Sequence, residues 1–291
     1  FVGKSDVLKY SMIVGMGTPY DALISERDAD VQIVDANLSI KPILSQPLWI
    51  TAGVQKVPVS REQIMSSADL VLAERAVQSV WLVPDRDTGV VLSYRVGKKP
   101  SRVKLQLGVF NGNRSMFGDN GNGKLIASRV EVMTGHKSAY KTYGVVNKPV
   151  IGAGGDFFLD SDIATDRMGY GGDVLLRIKG LAALGEFRSG TITPTDTSLA
   201  VPGVLSETNQ MGYLAQIGYT VQEYEMAVRY SSFDDNTAAE NAGDIASLRA
   251  GVTWHGLDDT VQAGVGYQMR METGSDEIAN DSVQMWLQFV Q

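Results

Sequence analysis

The side chains with the most chemistry in this chain sit on one parity of alternating segments. Arg95, Lys104, Arg129, Arg177, Arg229, Arg249 and Arg270 each belong to a run in which apolar residues occupy every second position and the charge falls between them. Guanidinium and ammonium groups along a water-filled wall lower the barrier to anions, because a low-dielectric channel focuses the field of a ring of cations. Arg61, Glu62, Glu74, Arg75 and Arg86 lie in a different setting, a stretch of mixed acid and base over 60–86. Such a set can present charge to a passage, or it can pair internally and pin the segment, since confined charges seek partners. The sequence leaves both open.

Other chemistry finds little support. IGAGGD at 151–156 has the glycines of a phosphate loop but no following Lys-Ser or Lys-Thr, and no helix follows it; glycine on a strand serves bending or close packing instead. His136 and His255 fall in connections without carboxylate or Cys at metal-binding spacing, and read as surface residues. No serine sits in a nucleophile elbow, and the chain has no cysteine. These residues predict no catalytic group, no metal and no cofactor. With 26 basic against 33 acidic side chains, net −7, the chain is a poor partner for nucleic acid.

The elements that must position the charges are strands. In GYLAQIGYTVQEYEMAVRY at 212–230 the alternate residues Tyr213, Ala215, Ile217 and Tyr219, then Tyr224, Met226, Val228 and Tyr230, form one apolar face, with a turn at 221–223. Fourteen such segments recur, at about 7–17, 31–41, 48–59, 87–97, 103–112, 124–133, 149–159, 168–179, 181–190, 211–221, 224–232, 246–254, 260–270 and 282–290. Helical periodicity is confined to 61–83. Short connections (41–47, 97–102, 179–180, 221–223, 255–259) alternate with long polar ones (18–30, 60–86, 112–123, 191–210, 233–245, 271–281). That asymmetry belongs to a transmembrane barrel with short turns on one rim and long loops on the other. Two connections fit less well: 134–148 is long where a short one is due, and 160–167 is short where a long one is due.

Parity sharpens the argument. The face assigned outward includes Leu8, Tyr10, Met12, Val14 and Met16; Leu48, Ile50, Ala52 and Val54; Val90, Leu92, Tyr94 and Val96; Leu248, Ala250, Val252 and Trp254; and it carries no charge. The inward face holds eleven basic residues, Lys9, Lys41, Arg95, Lys104, Arg129, Arg177, Lys179, Arg188, Arg229, Arg249 and Arg270. Against them stand six acidic ones, Asp35, Glu131, Asp156, Asp173, Glu186 and Glu225, so the wall carries an excess of five positive charges. The negative charge gathers in the loops 20–30, 233–245 and 271–281, which opposes anion entry at low salt. Trp49, Trp254 and Trp286 read as interfacial girdle residues. No stretch approaches the roughly 18 to 20 apolar residues of a membrane helix. FVGKSD reads as the end of an earlier strand followed by a turn, and the even strand number of single-chain barrels then predicts sixteen strands, the first two outside this numbering. The fold class expected is all-β: one antiparallel transmembrane barrel domain over 1–291, with 60–86 folded inward.

GVQKVPVSREQIMSS at 53–67, AERAVQSVWLVPDRDTGVVL at 73–92, LGVFNGN at 107–113, the 212–230 stretch and SLRAGVTWHGLDDTVQAGVGYQM at 247–269 resemble, in this order, the phosphate-selective porin O and P family. The resemblance implies a sixteen-stranded porin of the bacterial outer membrane, usually trimeric, surrounded by lipid and lipopolysaccharide. It implies that the third long loop, here 60–86, narrows the lumen. The function expected is a non-enzymatic diffusion channel for small hydrophilic solutes, weakly anion-preferring, with phosphate borrowed from the family. The alternative is a structural barrel that anchors partner proteins, for which the apolar loop TSLAVPGVL at 197–205 is the candidate surface.

Overall fold

The computed structural model describes residues 2–16, 31–98, 100–112, 123–135, 140–162, 164–195, 206–241, 243–257, 260–272 and 280–289. Fifteen strands form one antiparallel meander in which every strand pairs with its sequence neighbours. They are β1 (Val2–Lys4), β2 (Leu8–Met16), β3 (Val31–Ile40), β4 (Leu48–Lys56), β5 (Arg86–Lys98), β6 (Ser101–Phe110), β7 (Leu125–Thr134) and β8 (Val146–Ser161). The second half contains β9 (Thr165–Lys179), β10 (Leu181–Pro194), β11 (Thr208–Val221), β12 (Tyr224–Asp234), β13 (Ile245–Gly256), β14 (Val261–Glu272) and β15 (Ser282–Phe289). The fourteen alternating segments are β2 to β15, and the strand end at FVGKSD is β1. Between β4 and β5 the chain forms two short helices, α1 (Arg61–Ile64) and α2 (Val77–Trp81), with a 3-10 turn at Ser67–Asp69.

This inserted segment touches β7 through β15 on one face. Arg61 reaches Asp173 on β9, Glu74 reaches Gln284 on β15, and Trp81 stacks on Phe233 at the end of β12. A flat sheet could not present so many strands to one short segment, so the sheet curls round it. The all-β barrel architecture read from the alternation is the one observed.

The two faces separate as the parity requires. Tyr213, Ile217 and Tyr219 are exposed, and the residues between them, Leu214, Gln216 and Gly218, are buried. The hairpin register pairs Tyr219 with Met226 and Ile217 with Val228, so the apolar sets of β11 and β12 share one outer surface. Its turn runs through Gln222 at φ 53°, the backbone twist a tight hairpin needs.

Three positions depart from the expected facing, Val54 from its parity and Trp49 and Trp286 from the girdle assignment. On β4 the alternation breaks at Gly53, φ 118°, where an added Cβ would strike the Ala36 carbonyl. Trp49 lies under the Lys9 ammonium, 3.7 Å from its ring centroid, and Lys56, seven residues on and of opposite parity, donates to the Gln63 and Met65 carbonyls of the inserted segment. Both therefore face inward, and Val54 is buried rather than lipid-facing. Trp49 is a lumen residue, not a girdle residue. Trp286 is another: it shares its parity with Gln284, which bonds Glu74, and it covers Gly264. Trp254 keeps its outward place and bonds Glu223 in the adjacent turn.

Candidate functional site

The inward segment enters from the long-loop rim and is fixed there first. Ser60, at φ 62°, accepts from the Gln63 N–H as the cap of α1, and its own N–H donates to Asp156 at 2.9 Å. The Arg61 and Glu62 N–H groups donate to Glu186. The Arg61 guanidinium is fully buried, 2.6 Å from Asp173 and 3.3 Å from Glu131. Arg129 joins the same cluster at 3.0 Å from Glu131, 2.8 Å from Asp156 and 2.7 Å from Asp173, and Arg188 pairs with Asp156 and Glu186. Three arginines and four carboxylates thus form one paired cluster within the barrel.

Glycine makes this possible. A Cβ at Gly152 would lie 3.0 Å from the Arg61 guanidinium, and one at Gly154 would collide with Arg129. IGAGGD is therefore a packing stretch of β8 that leaves room for two guanidinium groups.

The rest of the segment is held along β11 to β15. Glu62 accepts from Arg229 at 2.7 Å and from the Ala76 N–H at 3.0 Å. Glu74 pairs with Arg249 at 2.6 Å and accepts from Gln284 at 2.8 Å. Val71 and Leu72 are buried with Ala227, and a Cβ on Gly251 would crowd Leu72 at 2.9 Å. Arg75 binds carbonyls, those of Glu62 and Met65, while Arg86 pairs with Asp35 at 3.2 Å and Asp85 at 3.3 Å. The five residues singled out in 60–86 therefore all hold the segment in place through hydrogen bonds or ion pairs.

The wall cations divide into two groups. Arg129, Arg188, Arg229 and Arg249 are buried and paired with carboxylates, and Arg177 is buried with donations to the Tyr143 and Gly144 carbonyls. On the opposite wall no carboxylate among the described residues lies within salt-bridge distance of Lys9, Arg95 or Lys104. Arg95 is exposed and is the cross-strand partner of Lys104, Lys9 covers Trp49, and Lys104 donates to the Tyr140 hydroxyl at 3.5 Å. Trp49, Ser93, Arg95 and Lys104 line a hollow of about 80 Å³. The inward positions of β2 to β6, among them Ser11, Asn37, Ser39, Thr51, Ser93 and Gln106, are partly exposed, whereas those facing the segment are buried. Water-accessible inner wall therefore runs along β2 to β6. Arg270 is half-buried near the long-loop rim, where its N–H donates to Asp281; Lys41 and Lys179 stand in rim turns.

Sequence reading missed three residues here. Tyr140 and Tyr143 lie in the anomalously long 134–148 connection, and that length is the signal that could have found them. His255 is buried, stacked on Tyr143 at 4.2 Å and 3.7 Å from Glu225, because the connection folds inward over the end of β13; it is not a surface residue. His136, the loop 197–205 and the acidic stretch 20–30 lie outside the described residues.

No protein-family model matches the chain, and a search of curated proteins finds no match. Solved structures do match. The trimer form of OmpT, an outer membrane protein of Vibrio cholerae, aligns with a TM-score of 0.58 at 9% identity over 97% of this chain and 87% of its own. An anion-selective porin from Comamonas acidovorans aligns at 0.54 and 11% identity over 86% of this chain and 71% of its own. Pseudomonas aeruginosa OccK11 (OpdR) aligns at 0.52 and 12% identity over 97% and 76%. The fold is that of an outer-membrane β-barrel. An outer face without charge, inward charge and strands paired neighbour to neighbour in one sheet are what that fold demands of a chain, since lipid offers backbone groups no partner.

Proposed function

We propose that this protein is a diffusion channel of the bacterial outer membrane, passing small hydrophilic solutes along the β2–β6 wall with a preference for anions. The observation that carries the reading is the set Lys9, Arg95 and Lys104, inward cations without a carboxylate in salt-bridge distance, facing a segment whose own charges are paired. An anion passing this wall meets Lys9, Arg95 and Lys104, while Asp35 and Asp85 on the same side are held by Arg86. On this reading 60–86 is the constriction: Arg61, Glu62, Glu74, Arg75 and Arg86 fix its position, while Arg95 and Lys104 act on the solute. Arg129, Arg177, Arg229 and Arg249 support the constriction rather than touch the solute, and Arg270 faces the passage near the long-loop rim.

Phosphate is the finer reading, supported by the family resemblance and by a hollow of a size that suits a small anion. A trimer is supported by the trimeric form of one structural neighbour. Reversal potential across a planar bilayer under a KCl gradient tests the proposal. An anion-directed potential, with the channel current blocked by added phosphate, is the expected result; a cation-directed potential would overturn it.

A further inference from the structure

The inward segment has a second anchor that comes from the opposite rim. Its tip, 66–72, lies beside 140–144 of the connection between β7 and β8, on the short-turn rim. Thr142 donates to the Asp69 carbonyl from both its N–H, at 3.2 Å, and its hydroxyl, at 3.1 Å. The Tyr143 hydroxyl donates to the Ala68 carbonyl at 3.2 Å and accepts from Gln262 at 2.9 Å. The Tyr143 ring is fixed on its faces by His255, with centroids 4.2 Å apart, and by the Lys141 ammonium 3.9 Å from its centroid. Two chain segments entering from opposite rims thus meet at one tyrosine.

The attachments differ in kind along the segment. Residues 60–65 and 74 are held by buried ion pairs, but among the described residues no salt bridge reaches 66–72. The tip rests on neutral hydrogen bonds and on Val71 and Leu72, and neutral bonds are the weaker attachment. We propose that 140–144 is a clamp that sets the clearance of the passage from the short-turn rim, with Tyr143 as its positioning residue. The proposal rests on reading the barrel as a channel.

The test compares the wild-type barrel with Tyr143→Phe, which keeps the ring and loses both hydroxyl bonds, and Tyr143→Ala, which loses the whole contact. A third variant, Asp69→Cys/Thr142→Cys, is joined by a short, reducible thiol cross-linker in a chain otherwise free of cysteine. Conductance and open-channel noise are recorded in planar bilayers, and amide exchange at 66–72 is measured on the folded barrel. Tyr143→Ala should raise conductance, add fast flicker and speed exchange at 66–72 by about tenfold. Tyr143→Phe should fall between, and the cross-linked barrel should not flicker until reduced. Wild-type conductance, noise and exchange in Tyr143→Ala, or altered conductance with unchanged exchange at the tip, would overturn the clamp. If Tyr143→Ala does not fold, Tyr143→Phe and the cross-linked barrel decide by the same two readouts. A wild-type barrel that is silent in bilayers, while exchange at 66–72 still rises in the variants, would sink the channel reading and with it the clearance role, leaving 140–144 as an anchor of the tip alone.

Discussion

Arg129 and Arg95 stand on strands two apart, both pointing into the barrel, and live in opposite surroundings. Arg129 is buried among three carboxylates; Arg95 is exposed with none in salt-bridge distance. The difference is the inward segment, which covers the wall of β7 to β15 and the long-loop ends of β5 and β6 at Val91 and Phe110, and leaves the rest of β2 to β6 to water. One alternating pattern thus builds a dry, charge-balanced wall and a wet, charge-unbalanced one. In the proposed channel the dry wall holds the segment and the wet wall meets the solute.

Breaking the dry wall should have the largest effect. Arg129→Ala strands Glu131, Asp156 and Asp173 without their shared cation, and removal of one member of a buried pair costs about 3–5 kcal/mol. Urea titration of the refolded barrel, read by the heat-dependent gel shift, should show the loss, and unchanged stability would mean that water already solvates the cluster. Gly154→Val should destabilise by about 1–3 kcal/mol, as overpacking does, because Arg129 occupies the space its side chain needs. If the same titration shows no change, the close packing of β8 against the guanidinium groups is not real.

Changes on the wet wall should leave stability nearly untouched and move selectivity instead. Reversing Arg95 to Glu replaces an exposed cation with an anion; an interaction of about 1 kcal/mol per unit charge at close range in water then shifts the anion-to-cation permeability ratio by roughly tenfold or more. The reversal potential reads it directly, and an unmoved potential would remove the β2–β6 wall from the solute's path.

The smallest effect concerns pH at the tip. Burial pushes the Asp69 carboxyl above its ordinary value, opposed by Lys141, Arg177 and Lys56. A raised folded-state value means that docking of the tip is favoured while Asp69 is protonated and weakens as pH rises through that value. Channel noise should therefore grow on going from acid to neutral pH, and Asp69→Asn should remove this part of the dependence. A pH response left intact in Asp69→Asn would overturn the assignment to Asp69.

Much of this was legible in residues two apart. An apolar parity free of charge, repeated over β2 to β15, follows from lipid on one side and water on the other, and it yields strand order and facing without coordinates. The alternation failed at Gly53, where a positive φ reverses the facing of β4, and so misplaced Val54; Trp49, before that break, sits on the inward parity, and it was the girdle assignment that failed. Trp286 was misplaced for a different reason: a large aromatic near a strand end suits either face, and a close approach to Gly264 decided it. The inward course of 60–86 showed in its apolar content. Which of its charges would be paired did not, because Arg61 and Asp173 are remote in sequence and meet only when the sheet curls.

The sequence by itself determined the barrel and its two faces, because strand alternation is a local property that every residue obeys or violates alone. Only the tertiary structure decided which cations remain for a solute. Pairing depends on what stands across the lumen, and that is set by where the segment from one rim and the tyrosine from the other come to rest.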